Sequence, residues 1–280
     1  MMEGQLEKII LETVDVPSLP AVAGRVLQLM NDDFSSLNEL EGIISKDQAF
    51  SSRLLKIANS PYYGGGKKVD SVSTAIILIG FSTMRSLVVA ASLKDVHRKS
   101  GLLETRLWEH SLGVSIAASI LARETKIVGA EEALVVGLIH DIGKTILNNS
   151  MPDAYSLVIE RVYEDGSGFL EAEDELLGFN HCNVGGLIAR KWKLPRNLEV
   201  VIEHHHADKY PMLEGDDFEA LCQLVKAADA LCLDMKIGIS REGGISAAEL
   251  EGLGLSANRL AEIREMVART YAEQKSQMVS

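Results

Sequence analysis

The spacing of its aliphatic residues constrains this chain more than any other feature. Apolar positions recur three and four residues apart along most of the sequence, the period of an amphipathic helix, and no segment alternates polar with apolar as a strand would. Leu6, Ile9, Ile10 and Val14 set the pattern at the start. Only six prolines interrupt 280 residues, so long stretches are free to coil. Aromatic residues make up 5% of the chain, which leaves aliphatic side chains to fill the interior. The expected fold class is all-α, and the length suits one large domain or two packed lobes with a sizeable core.

Turn chemistry divides the chain. Val16-Pro17-Ser18-Leu19-Pro20 forces an extended turn after the first helix, because proline disfavours a helical residue before it. Helices are expected near 21–30, near 36–45, and from Asp47 onward, with Ser36 and Asp47 as N-caps. Asn59-Ser60-Pro61-Tyr62-Tyr63-Gly64-Gly65-Gly66 is a break, after which helices resume near 73–80 and 83–93. Asp95 to Leu103 carries no apolar period and reads as a hinge. It separates an N-terminal lobe over 1–100 from a second lobe over 101–280. In the second lobe helices are expected near 105–123, 131–147, 153–165, 168–177, 181–192, 196–206, 217–234, 246–252 and 256–274.

The net charge of −12 repels phosphate backbones and anionic lipid, so neither nucleic acid nor a membrane is an expected partner. Apolar runs such as Leu87 to Ala91 and Leu134 to Ile139 fall far short of the ~20 residues that a span requires. Cys182, Cys222 and Cys232 include no CxxC, which argues against a disulfide framework and for a reducing compartment. Met1 to Val14 lacks a signal-peptide layout, so the expected location is the cytoplasm.

The chemistry lies in the histidines. Six of the seven fall in four clusters, His110, His140, His181 and His204-His205-His206, while His97 sits in the hinge. On helices, His110 shares a face with Leu107 and Val114, His140 with Val136, and His181 with Val184 and Ile188. His204 and His205 follow Val200 and Val201 by four residues. Asp141 follows Gly137 in the same way, and Asp229 lies between Val225 and Cys232. These polar groups point where the core belongs. A carboxylate buried there costs several kcal/mol unless a cation or a hydrogen-bonded partner offsets it. Imidazole nitrogens with carboxylate oxygens suit a divalent transition metal such as iron, manganese, zinc or nickel. Cys182 lies about 100° around a helix from His181 and reads as a buried structural thiol. Gly64-Gly65-Gly66 is not a phosphate loop, because no Gly-Lys-Ser or Gly-Lys-Thr follows it.

Val16 through Val22, Ser45-Lys46-Asp47, Arg53 through Gly64, Val72 through Gly80, Leu107 through Ser111, Gly137 through Lys144 and Gly178 through Pro195 stand in order along the chain. Together these blocks resemble the HDOD family (HD-related output domain), helical domains related to the HD phosphohydrolases. The resemblance implies a two-lobed helical fold with an HD-like second lobe, and a part in bacterial signal transduction through a protein partner. Compared with the HD-GYP phosphodiesterases, a related family, the chain is similar at His110, His140, Asp141, His181, His204, His205 and Asp229. That likeness implies a buried centre for two metal ions bridged by Asp141. Lys144 matches the lysine that faces a substrate phosphate there, so Asp141 and Lys144 are the implied catalytic residues. Arg106 stands where some HD-GYP proteins carry a glutamate ligand, and Lys209-Tyr210-Pro211 is at most a remnant of the GYP loop. Two functions fit these residues. In the first, the protein regulates a signalling partner and its metal centre is structural or senses a ligand. In the alternative, it is a metal-dependent phosphohydrolase acting on a nucleotide or cyclic dinucleotide, a small phosphate-containing ligand.

Overall fold

The computed structural model describes residues 2–15, 21–30, 37–46, 48–59, 69–80, 101–207, 210, 218–238, 245–246 and 251–279. Among these residues every regular element is a helix, and no helix is long and apolar enough to cross a membrane. The chain divides into two compact units. One comprises residues 1–17 and 97–267, the other residues 18–96 and 268–280. This differs from a simple cut at residue 100, because each terminus groups with the unit farther from it in sequence. One physical tie is a hydrogen bond: Ser150 Oγ–H donates to the Asp15 carbonyl at 3.0 Å.

The smaller unit contains α2 (Ala21–Met30), α3 (Leu37–Ile44), α4 (Gln48–Ala58) and α5 (Val72–Ile79). Val26, Leu40, Ile44, Leu54, Ala58, Ala75 and Ile76 form its buried interior. The Ser71 hydroxyl caps α5 by accepting from the Thr74 N–H at 3.1 Å. Asn59, just past the end of α4, ties that helix to Val69. Its side-chain amide donates to the carbonyls of Leu55 and Val69, and its Oδ1 accepts from the Val69 N–H. The proline turn, the caps at Ser36 and Asp47, residues 60–66 of the break and the helix expected over 83–93 lie outside the described residues, as do the first six residues of the hinge.

The larger unit begins with α1 (Met2–Thr13), then continues with α6 (Leu102–Thr125), α7 (Ala130–Ile139), α8 (Ile142–Ser150), α9 (Pro152–Asp165), α10 (Phe169–Leu177), α11 (His181–Lys191), α12 (Arg196–His204) and α13 (Phe218–Asp234). A last helix, α14 (Ala257–Val279), closes the order. Every residue of α6 from His110 to Ala122 is buried, as expected of a helix apolar or small on all sides. It is the spine on which α7 and α13 pack, while α8 and α12 pack on α11. Each large aliphatic side chain buried in these contacts contributes about 1.5–3 kcal/mol. Small residues bring the helices close. A Cβ on Gly137 would stand 2.9 Å from the backbone of Val114 and Ser115, and one on Gly143 would stand 2.0 Å from the His181 carbonyl oxygen. The second approach seats the start of α8 on the start of α11, which brings Asp141 to His181.

Candidate metal centre

The helix expected over 131–147 is two helices. α7 ends at Ile139, His140 and Asp141 form a turn, and Asp141 (φ −96°, ψ 19°) leads into α8. Asp141 is a residue type that favours helix starts, and its carbonyl accepts from the Lys144 N–H at 3.0 Å. A continuous helix would turn consecutive side chains about 100° apart. The break lets His140 and Asp141 face one centre.

Four buried histidines surround that centre, and each has its Nδ1 turned to an oxygen. His140 Nδ1–H donates to the Gly137 carbonyl at 2.7 Å. His205 Nδ1–H is shared between the carbonyls of Val201 and Ile202 at 3.1 and 3.2 Å. His181 Nδ1–H donates to Glu173 Oε2 at 2.6 Å. His110 Nδ1 lies 3.3 Å from the Ile237 carbonyl. In His140, His181 and His205, holding the proton on Nδ1 leaves the Nε2 lone pair facing inward, the arrangement that outer hydrogen bonds impose on metal-binding histidines. The Nε2 atoms of His140, His181 and His205, together with Asp141 Oδ1, are buried and make no hydrogen bond. Four orphaned polar atoms converging in an apolar interior would cost free energy together, and a cation offsets that cost. Two overlapping groups can hold one: Asp141, His181, His205 and His206, and His110, His140 and Asp141. The donor set, imidazole nitrogen with carboxylate oxygen, suits a divalent transition metal.

Local sequence explains the placement of His181. Asn180 caps α11 by accepting from the N–H groups of Cys182 and Asn183, and Asn183 reciprocates by accepting from the Asn180 N–H. His181 is thereby the first residue of α11. Its own N–H donates to Glu173 Oε2 at 2.8 Å. The other Glu173 oxygen accepts from the Tyr155 hydroxyl at 2.8 Å. Glu173 and Tyr155 are wholly buried. Neither was a candidate from the sequence, although Glu173 stands at an apolar-face position with Phe169 and Ala172. Glu173→Gln should therefore keep the fold but weaken metal binding by roughly 10–100-fold, as loss of such partners usually does. A chelator-competition titration measures this, and unchanged affinity would show that the carboxylate is not needed.

Charge in the centre is balanced by neighbours. Burial works against a charged Asp141, but His140 and Lys144 outweigh it and hold the carboxyl well below its usual range. Asp229 is likewise lowered despite burial, chiefly by His110. Burial also opposes charge on Lys144, yet Asp141 and Asp229 raise its pKa, so it stays an ammonium. Burial depresses His140 and, more strongly, His206, where the neighbouring His205 adds to the effect. His181 moves the other way, to about 9, because Glu173 and Cys182 overcome the effect of burial. His205 rises to about 10 against burial through Cys182 and Asp141. The surroundings of these two rings thus attract positive charge, proton or metal.

The structure brings together His110, His140, Asp141, His181, His205 and Asp229, with Lys144 beside them. His110 Nε2–H donates to Asp229 Oδ1 at 2.8 Å, and Lys144 Nζ donates to Asp141 Oδ2 at 2.7 Å. His204 stands outside both groups that could hold a metal. It is half-buried among Glu203, Arg196 and Arg190, because the inward face of α12 runs through Leu198, Val201, Ile202 and His205. α12 ends at His204, and the turn after it carries His206 inward instead. The His206 ring lies 4.1 Å from that of His205 and 5.3 Å from that of His181. Cys182 is buried, with Sγ 3.9 Å from His205 Nδ1. Burial raises its pKa, but His181 and His205 pull it down to about 6. A pocket of about 170 Å3 reaches the cluster at His110, Lys144, His206 and Asp229, with Phe169, Glu171 and Leu233 among its walls.

Residues 16–208 match the HDOD domain. The chain belongs to the HDOD family. An HDOD domain protein of unknown function from Geobacter sulfurreducens has the same fold, with a TM-score of 0.82 and 25% identity over 99% of this chain and 98% of that one. A Shewanella amazonensis protein described as a candidate phosphohydrolase gives a TM-score of 0.72 at 24% identity, covering 96% and 97% of the two chains. An uncharacterized protein of Treponema pallidum is 23% identical to this HDOD protein over 197 residues, 69% of this chain but 38% of that relative's length.

Proposed function

We propose that this HDOD protein hydrolyses a small phosphoester, and that the two residue groups sharing Asp141 would hold the divalent transition-metal ions this chemistry uses. One observation carries the reading. A pocket reaches the buried cluster at His110, His206 and Asp229, and its wall includes Lys144, so a phosphate there would meet an ammonium and one residue from each of the two groups that could hold a cation. Bound ions would supply Lewis-acid charge and lower the pKa of water. The chain's own residues do the rest. His110, His140 and Asp141, with Asp229 beside them, would hold one ion, while Asp141, His181, His205 and His206 would hold the other. Lys144, 4.6 Å above the Phe169 ring, donates to a phosphate oxygen as negative charge develops there. A further Shewanella amazonensis protein of this fold, described as a candidate metal-dependent phosphohydrolase, supports the reading.

The size of the pocket favours a second reading. Its ~170 Å3 falls below the ~300–1,000 Å3 usual for small-molecule sites, so it takes a phosphoryl group rather than a whole nucleotide. In that reading the metal-bound protein senses a phosphate-containing ligand and signals to a partner without turnover. Assaying the metal-loaded protein with a generic phosphodiester and a phosphomonoester separates the two. The expected result is metal-dependent hydrolysis that Asp141→Ala abolishes. No hydrolysis by a fully loaded protein would favour the sensor, and equal rates in the variant would mark contamination.

A further inference from the structure

Asp141 divides the cluster into unequal halves. Its Oδ1 lies 3.4 Å from His181 Nε2 and 3.5 Å from His205 Nε2, and all three atoms lack a hydrogen-bond partner. Its Oδ2 faces the other half, 3.4 Å from His140 Nε2 and 3.7 Å from His110 Nε2. That oxygen is already engaged by Lys144 Nζ at 2.7 Å. In the same half, His110 Nε2 and Asp229 Oδ1 are bonded to each other at 2.8 Å. A cation approaching Oδ1 meets donors that need a partner. A cation approaching Oδ2 meets one donor that needs a partner, His140 Nε2, beside His110 and Asp229, which satisfy each other, and an ammonium that repels it.

We infer that the two ion positions fill in order, and that Lys144 couples the second ion to phosphate. This rests on the metal reading above. The first ion enters at Asp141 Oδ1, His181, His205 and His206. The second needs Asp141 Oδ2, so Lys144 must give it up. Lys144 is 5% exposed and cannot simply turn to water. The pocket it lines, with His110, His206 and Asp229, offers the alternative: a phosphate there takes the ammonium as a charge-assisted donor. Phosphate then tightens the second ion, and by linkage the second ion tightens phosphate by the same factor. The protein assembles its full centre only when the ligand is present.

Calorimetric titration of the metal-free full chain with cobalt(II), with and without inorganic phosphate, tests this. The wild type should bind one equivalent tightly and the second more weakly, and phosphate should tighten the second by about tenfold, within the usual range of coupling. Lys144→Met should bind both ions tightly and lose the phosphate effect, whereas Lys144→Arg should keep the weak second position. His181→Ala should lose the tight ion. Two equally tight ions in the wild type, or a phosphate effect that survives in Lys144→Met, would overturn the ordering and leave the metal centre standing. No bound metal in the wild type would overturn the metal reading, and this inference with it. If Lys144→Met does not fold, as judged by circular dichroism, the wild-type titrations alone decide.

Discussion

Elemental analysis of Asp141→Ala protein purified in phosphate should find no stoichiometric metal where the wild type, prepared the same way, carries about two ions, the complement of a two-metal site. Asp141 is the carboxylate that reaches both halves of the cluster, within 3.4–3.7 Å of the Nε2 atoms of four histidines. Its loss removes a ligand from each position at once. It also leaves the Lys144 ammonium buried without its partner. Breaking a buried pair from one side typically costs about 3–5 kcal/mol, so Asp141→Ala should melt at a lower temperature as well. Asp141→Asn separates the effects, since it keeps the side-chain shape and one acceptor oxygen. It should bind metal poorly while recovering part of the stability. Two ions retained in Asp141→Ala would refute the assignment of the centre.

Gly143→Ala should be among the most damaging single-methyl changes in the larger unit. The new Cβ would stand 2.0 Å from the His181 carbonyl oxygen and 2.7 Å from its carbon. The obstacle is backbone, which no side-chain rotation relieves, so α8 and α11 must separate. Overpacking costs about 1–3 kcal/mol or more, and this site belongs at the upper end. At about 2–4 °C per kcal/mol for a unit of this size, Tm should fall by roughly 6–12 °C. Metal affinity should fall with it, because the same separation moves Asp141 from His181. Gly42 in α3, where an added Cβ meets nothing within 4 Å, is the control. Gly42→Ala should leave Tm unchanged or raise it slightly, since alanine loses less entropy on folding. An equal fall for both variants would point to a general intolerance of glycine loss rather than a specific clash.

Much of the centre was legible because helical periodicity reports facing. His110, His181 and Asp229 stand on apolar faces, and each is buried with its neighbours on that face. Periodicity stops being informative where a helix stops. The turn at His140-Asp141 and the end of α12 at His204 are the two such places: there the 131–147 segment breaks, and His206 rather than His204 joins the buried cluster. Glu173 was missed for a different reason. A glutamate on an amphipathic helix reads as surface unless its buried partners, His181 and Tyr155, are known, and both come from other helices.

The sequence by itself determined the helical class, the family blocks and the residue types from which a metal centre can be made, because these depend on local spacing and side-chain chemistry. Tertiary structure alone decided which histidines share the centre, which Asp141 oxygen serves each half and where Lys144 sits. Those are distances between helices far apart in sequence, set by close approaches such as Gly143 on His181, and no local pattern encodes them.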